Sequence, residues 1–502
     1  MRNKPNIIIF NPDQWRGDVL GHMGNQAAHT PNIDKLIEED AVSFASAFCQ
    51  NPVCTPSRCS FMTGWYPHVR GHRTMHHMLH HELGEPNLLK LLKEDGYQIW
   101  WGGKGDLFTA DSLMDHSCDI RFEPTEDDYE RWGFSAREGN HGGDLSWRGE
   151  PNSPNYYSFF KGKLDTAGER LYGDSDWAMI YGAIDYIRQR SNNGPYCLYL
   201  PLSYPHPPYC VEEPWFSLTD RKKLPTRVQA TTDWATKPSI LKGIYEGQGL
   251  QDWTEVQWDE LRATYYGMCS RLDFQFSMLV DVLQEVGSYD NSAIFIFSDH
   301  GDFTGDYGIV EKTQNTFQDC LTRVPFIIKP PASIEIQPGI NEELVELVDF
   351  SATVYDLVGI KPNYDSFGKS LLSQLKGESQ LEHRDAVFCE GGRLMGEEQA
   401  SEIESTSASG SLGLYSPRVN LQIQLYEPYH SKAAMCRTKD YKYIMRLYED
   451  DELYDLRSDP MEEKNLIHEE AYSGILIELK DRLLRWYMET CDVVPSLVDK
   501  RK

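Results

Sequence analysis

Cys54-Thr55-Pro56-Ser57-Arg58-Cys59-Ser60-Phe61-Met62-Thr63-Gly64 brings a sulfur, an arginine and the start of a helix together. Thr55 is a good N-cap, and Pro56 suits the first helical position, where its missing N–H costs nothing. Gly64 supplies a left-handed stop. Cys54 is therefore expected just ahead of a short helix, where free N–H groups and the helix dipole favour an anion. Arg58 lies about one turn further on, on the same side. A sulfur-bearing side chain, an anion-binding helix end and a guanidinium thus point to chemistry on an anionic substrate.

Other polar groups follow short apolar runs. Asp13 and Gln14 close the run Ile7–Phe10, and Asp299 and His300 close Ile294–Phe297. Carboxylate and amide oxygens favour a hard cation such as Ca²⁺ or Mg²⁺, whereas His300 leaves room for Mn²⁺ or Zn²⁺. Lys104 lies in Trp100-Trp101-Gly102-Gly103-Lys104-Gly105-Asp106. His206 lies between Pro205 and Pro207, which hold its backbone extended. Lys312 follows Gly305-Asp306-Tyr307-Gly308-Ile309-Val310-Glu311. Taken singly these residues are ordinary, since strand-end aspartates often cap helices and loop lysines are usually exposed. Their combination with Cys54 is what carries chemistry.

At Cys54-Thr55-Pro56-Ser57-Arg58 and Met62-Thr63-Gly64 the chain resembles the type I sulfatases of the alkaline phosphatase superfamily, whose signature reads Cys-x-Pro-Ser-Arg and then Thr-Gly. The resemblance implies that Cys54 is oxidised to formylglycine, an aldehyde that hydrates to a gem-diol. It implies as partner a formylglycine-generating or anaerobic sulfatase-maturating enzyme, and as substrate a small sulfate monoester, expected to be a sulfated carbohydrate. It also implies one divalent metal, Ca²⁺ first, held by Asp13, Gln14, Asp299, His300 and residue 54. Arg58, Lys104, His206 and Lys312 then surround the transferred group.

Two departures matter. Many sulfatases show Asp-Asp and Asp-Asn where this chain has Asp13-Gln14 and Asp299-His300, a pattern resembling choline sulfatases and phosphonate monoester hydrolases. A phosphonate monoesterase or phosphodiesterase therefore stays open as the alternative. Asp106 stands where a histidine is usual, as a base for the diol or a partner that orients Lys104. Arg73 and His76, in the stretch His72–His81, and His430 and Lys432 are candidates for reading the organic part of the substrate. A noncatalytic sulfoglycan-binding protein would need these groups broken, and they are present.

The elements that position these residues follow from the alternation of apolar runs (Ile7–Phe10, Ile99–Trp101, Cys197–Leu202, Ile294–Phe297, Pro325–Ile328) with helical patterns at Glu85–Glu94, Trp177–Gln189 and Glu260–Val286. Such alternation predicts an α/β domain, a mostly parallel sheet sandwiched by helices, with ligands at strand carboxyl ends. With the resemblance, this means an alkaline phosphatase-like catalytic domain over 1–375 and a small C-terminal α+β subdomain over 376–502. That subdomain is expected to hold antiparallel strands at Ala433–Thr438, Tyr441–Leu447 and Glu452–Leu456 and a helix over Ala471–Thr490. Arg137–Lys163 reads as an insertion near the pocket rim, and Glu397–Gly413 as a mobile loop or insertion.

With 49 basic and 77 acidic residues the net charge is −28, which argues against nucleic-acid or anionic-membrane partners. Screening over about 8 Å lets a few recessed cations dominate a pocket despite that surface. No apolar stretch suits a signal peptide or a membrane span. The 11 cysteines lack paired spacing and fit reduced thiols, so a cytoplasmic location is expected. Cys49, Cys54 and Cys59 are too widely spaced for a zinc cluster. Oligomerisation stays open.

Overall fold

The computed structural model describes residues 4–109, 114–134, 145–151, 153–166, 172–190, 194–378, 382–405, 413–494 and 498. Its centre is β1 (Asn6–Asp13), a run of isoleucines buried along its whole length. Side chains alternate across a strand, so Ile7 and Ile9 enter one apolar cluster while Ile8 and Phe10 enter another. A strand buried on both faces belongs in the middle of a helix-covered sheet.

That sheet also contains β2 (Val42–Phe48), β3 (Gln98–Gly102), β4 (Ile120–Phe122), β6 (Tyr196–Pro205), β8 (Ser292–Phe297), β9 (Phe326–Lys329) and β10 (Gly339–Glu346). Its order is β10-β2-β9-β8-β1-β6-β3-β4. β1 pairs in parallel with β6 and β8, and β6 pairs in parallel with β3. β9 runs antiparallel to both of its neighbours, so the sheet is mixed and mostly parallel. A short parallel pair, β5 (Phe160–Lys163) with β7 (Tyr209–Val211), lies apart.

The long helix Glu255–Glu285 covers one face through Leu272, Phe276 and Leu279. Phe276 meets Phe10 edge-on at 5.6 Å. It starts in a capping box in which Thr254 and Gln257 satisfy each other's backbone N–H. The opposite face is covered by Cys54–Thr63 and Asp349–Val358. Phe297 holds both helices, with Phe61 at 5.0 Å and Phe350 at 4.7 Å.

The second sheet is antiparallel, in the order β11 (Val387–Gly391), β12 (Ala433–Arg437), β13 (Tyr441–Arg446), β14 (Glu452–Asp455). The helix Ser473–Thr490 buries Leu479, Leu483 and Trp486 against it, and Trp486 stacks on Phe388 at 4.7 Å. Asp319, between β8 and β9, pairs with Arg437 at 3.0 Å and Lys442 at 2.6 Å, which ties this sheet to the larger one. All 11 cysteines are free. Among the described residues, no helix is long and apolar enough to cross a membrane.

Candidate active site

The adjacent parallel strands β8, β1, β6 and β3 all end on one edge of the sheet. Asp13 ends β1; Asp299 and His300 follow β8, His206 follows β6, and Lys104 follows β3. β2, two strands from β8, delivers the chain to the helix that starts at Cys54. Parallel strand direction alone therefore gathers five segments that are far apart in sequence.

That helix begins two residues earlier than its sequence predicts. Val53 is the N-cap and Cys54 the first helical residue, so Thr55 is not the cap and Pro56 is the third residue. The physical reason is that none of the first four N–H groups has an intrahelical partner, so proline is tolerated throughout the first turn. The Thr55 hydroxyl instead donates to the Met75 carbonyl at 3.1 Å. Gly64 is the left-handed cap, with φ 73° and its N–H on Ser60 O at 2.8 Å. Cys54 remains at the electropositive helix end.

The Cys54 sulfur lies 3.3 Å from His300 Nε2, 3.5 Å from Lys312 Nζ and 3.6 Å from Asp13 Oδ1. Asp13 Oδ2 accepts from Lys104 Nζ at 2.7 Å and from Arg58 Nη2 at 3.0 Å. Burial alone would raise this carboxyl, but Lys104, His206, Lys312 and Arg58 hold it well below its ordinary value. Arg58 is fully buried and turns to Asp13, to Asp299 at 2.8 Å and to Asn11 at 2.9 Å. It does not line the pocket, contrary to the expectation that it reaches the transferred group; two buried carboxylates claim it.

Gln14 has φ 73°, unusual for a residue with a side chain, and its backbone is held from three directions. Its N–H donates to Asp299 Oδ1 at 3.1 Å, its carbonyl accepts from Tyr265 at 2.7 Å, and the next N–H meets Ser298 Oγ at 2.7 Å. Its Oε1 accepts from Lys312 Nζ at 2.7 Å, while its Nε2 donates to Asp302. Asp302 also accepts from the Tyr209 hydroxyl at 2.8 Å and the Thr304 hydroxyl at 2.8 Å. Asp302 thus sets which end of the Gln14 amide faces the site. Sequence reading passes over that role, because Asp302 looks like one more polar residue after a strand.

The donor set fits a divalent metal. Asp13, Cys54, Asp299 and His300 each offer an atom, and these atoms lie within 4.8 Å of one another. His300 Nδ1 sits 2.9 Å from the Gly301 carbonyl, which can only accept, so Nε2 presents its lone pair to the cluster. Burial lowers the His300 pKa and keeps the ring neutral. Nε2 lies 3.6 Å from Asp13 and 3.8 Å from Asp299, spacings that suit ligands around an ion with bonds of about 2.0–2.6 Å. Asp299 Oδ2, buried beside Arg58, has no aligned hydrogen bond.

A cavity of about 490 Å³ opens over Cys54, and Lys104, Asp106, His206 and Lys312 line its inner end. Asp106 lies 3.4 Å from Lys104. His206 is half-buried, with Nδ1 donating to the Pro207 carbonyl at 2.7 Å. His76 lines the outer part and meets Ser405 at 3.0 Å. Arg73, His430 and Lys432 are not among the lining residues. Arg73 is claimed by the Gly392 carbonyl and Glu397, and His430 is buried behind the wall, pushed down to about 3 by burial and by Arg393, Arg418 and Arg73.

The sequence leaves unmarked the stretch Leu414-Tyr415 and the helix Ser416–Gln422, whose Arg418 and Val419 complete the wall. The only signal is an ordinary amphipathic spacing. Within Arg137–Lys163 and Glu397–Gly413, residues 137–144, 152 and 406–412 lie outside the described residues, whereas Leu145 and Ser405 line the cavity.

A helix-borne cysteine and a metal-type cluster at the carboxyl edge of this sheet define an alkaline phosphatase-like enzyme. The phosphonate monoester hydrolase of Agrobacterium radiobacter shares the fold, with a TM-score of 0.72 at 22% identity over 97% of this chain and 96% of that one. A family model described as Sulfatase matches residues 5–360, and the chain belongs to the sulfatase family of hydrolases. It is 25% identical to an arylsulfatase of Clostridium perfringens, over 96% of this chain and 94% of the relative. It is 26% identical to a choline-sulfatase of Rhizobium meliloti, over 97% and 88%. The family implies formylglycine and a divalent metal.

Proposed function

We propose that this chain hydrolyses a sulfate monoester, with residue 54 working as formylglycine made from Cys54. The observation that carries the proposal is the convergence on one sulfur of Asp13, His300 and Lys312, all within 3.6 Å. A thiolate route is disfavoured by the same surroundings. Burial first, and Asp13 second, push the Cys54 thiol up despite Lys312 and Lys104, the reverse of what a cysteine nucleophile needs. We assign the oxidation to a formylglycine-generating or anaerobic sulfatase-maturating enzyme.

The hydrated aldehyde supplies two hydroxyls on one carbon, one to attack sulfur and one whose ionisation later frees sulfate. A divalent ion held by Asp13, Gln14, Asp299 and His300 supplies Lewis-acid stabilisation of negative charge, and the oxygen-rich donor set favours Ca²⁺. Lys104 and Lys312 offer ammonium donors to the nonbridging oxygens, and the helix start adds backbone N–H groups. Arg58 helps hold Asp13 ionised and aims both Asp13 and Asp299. Asp106 steadies Lys104. His206 protonates the departing alcohol oxygen.

Proton donation matters only where the leaving group needs it. His206→Ala is expected to slow hydrolysis of an alkyl sulfate at least about tenfold more than that of 4-nitrophenyl sulfate. Equal losses on both would make His206 a binding residue.

Sulfate and phosphonate monoesters carry the same charge, so charge cannot separate them. A phosphonate places carbon where sulfate places an oxygen, among donors that carbon cannot satisfy. Each unpaired buried donor costs roughly 1–3 kcal/mol. Phenyl sulfate should therefore exceed phenyl phenylphosphonate in kcat/KM by at least about a hundredfold. A phosphonate turned over as well as the sulfate would favour the alternative drawn from Asp13-Gln14 and Asp299-His300.

A further inference from the structure

Beyond the sulfate-binding end, the cavity wall is built, among the described residues, mainly from side chains that neither donate nor accept hydrogen bonds. Val53, Met75, Met78, Pro208, Leu414 and Val419 line it, with Leu145 and the ring of Tyr415. Beside the Tyr415 hydroxyl, four polar side chains, His76, Ser405, Glu311 and Arg418, share this outer region among the described residues, and each of the four has a protein partner. His76 is bonded to Ser405 at 3.0 Å. Arg418 donates to Gln422 at 3.1 Å and lies 3.2 Å from Glu311. Glu311 in turn lies 3.4 Å from Lys312, so this acid sits between two cations and is not available to a cationic ligand.

This wall sets what the ester's organic part can be. A sugar carries several hydroxyls, and each one enclosed without a partner costs about one to two decades of affinity or rate. Two methionines add a flexible, polarisable surface that adapts to apolar shapes. Resting on the sulfatase reading above, we infer that the organic part of the substrate is apolar and uncharged, an alkyl or aryl group rather than the sugar that the sequence suggests. Met75, Met78, Leu414 and Tyr415 are its specificity-determining contacts.

The test separates burial from leaving-group chemistry by keeping the leaving group a primary alcohol throughout. Ethyl, butyl, hexyl and octyl sulfates and glucose 6-sulfate are compared on fully matured, metal-loaded enzyme, with phenyl phenylphosphonate as a control. Each methylene buried in the cavity should raise kcat/KM by roughly three- to fourfold until the cavity is filled. Hexyl sulfate should exceed glucose 6-sulfate, which has the same number of carbons, by at least about tenfold. Met78→Gln, nearly equal in volume, should reduce the dependence on chain length, whereas Met78→Leu should retain it. A flat alkyl series, or glucose 6-sulfate as good as hexyl sulfate, would overturn the inference while leaving the sulfatase reading intact. Turnover of the phosphonate with none of the sulfates would overturn the sulfatase reading itself, and this inference with it. Because the wild-type series decides alone, a variant that fails to fold removes nothing from the test.

Discussion

Cys54→Ala is expected to lower kcat/KM on any sulfate substrate by at least about a thousandfold while leaving the fold intact. The side chain lies at the meeting point of Asp13, His300 and Lys312 and makes no large packing contribution, so the loss is chemical. Cys54→Ser is the sharper variant. Serine keeps an oxygen nucleophile but has no second hydroxyl on the same carbon, so it must wait for water to attack sulfur. It should give at most a slow single turnover unless the host oxidises serine. Sustained turnover by an unmodified serine variant would mean that the second hydroxyl is not needed.

Metal removal is expected to have the next largest effect. Asp13→Ala and Asp299→Ala should each lose most of the bound divalent ion by elemental analysis and reduce kcat/KM by roughly three decades. Asp13 ties Lys104 and Arg58 as well as facing His300 and Cys54, so its removal leaves Arg58 with Asp299 and Lys104 with the more distant Asp106. Asp302→Asn tests the support of Gln14 separately. Its amide can turn a donor toward Gln14 Nε2 and free the glutamine to flip, so metal affinity should fall by about tenfold or more. A chelator that leaves both metal content and turnover unchanged would contradict the assignment of Asp13, Gln14, Asp299 and His300.

The inner half of the site is legible in the sequence because each residue sits at a fixed offset from a recognisable strand or helix start. Asp13, Lys104, His206 and Asp299 all follow apolar runs, and the parallel order of those strands brings them to one edge. Three strands of the large sheet escape the reading, and β4 does so because it is only 3 residues long. β2 alternates serine and alanine with its apolar residues, and β10 exposes alternate residues at the sheet border, so neither shows a strong apolar run. Arg58 shows another limit. Its position on the helix is readable, but its direction depends on Asp13 and Asp299, which come from separate strands. The outer wall is hardest to read. Leu414, Tyr415, Arg418 and Val419 reach the cavity only because the chain after residue 412 folds back over the catalytic edge, and no local pattern encodes that placement.

The central claim is that the working group at position 54 is an aldehyde. Its most direct test is mass spectrometry of the peptide carrying residue 54, with hydrazide capture of the aldehyde, across preparations made with and without a maturation enzyme. Specific activity on phenyl sulfate should rise in proportion to the formylglycine fraction and vanish where residue 54 is entirely cysteine. Full activity in protein that carries only the thiol would contradict it.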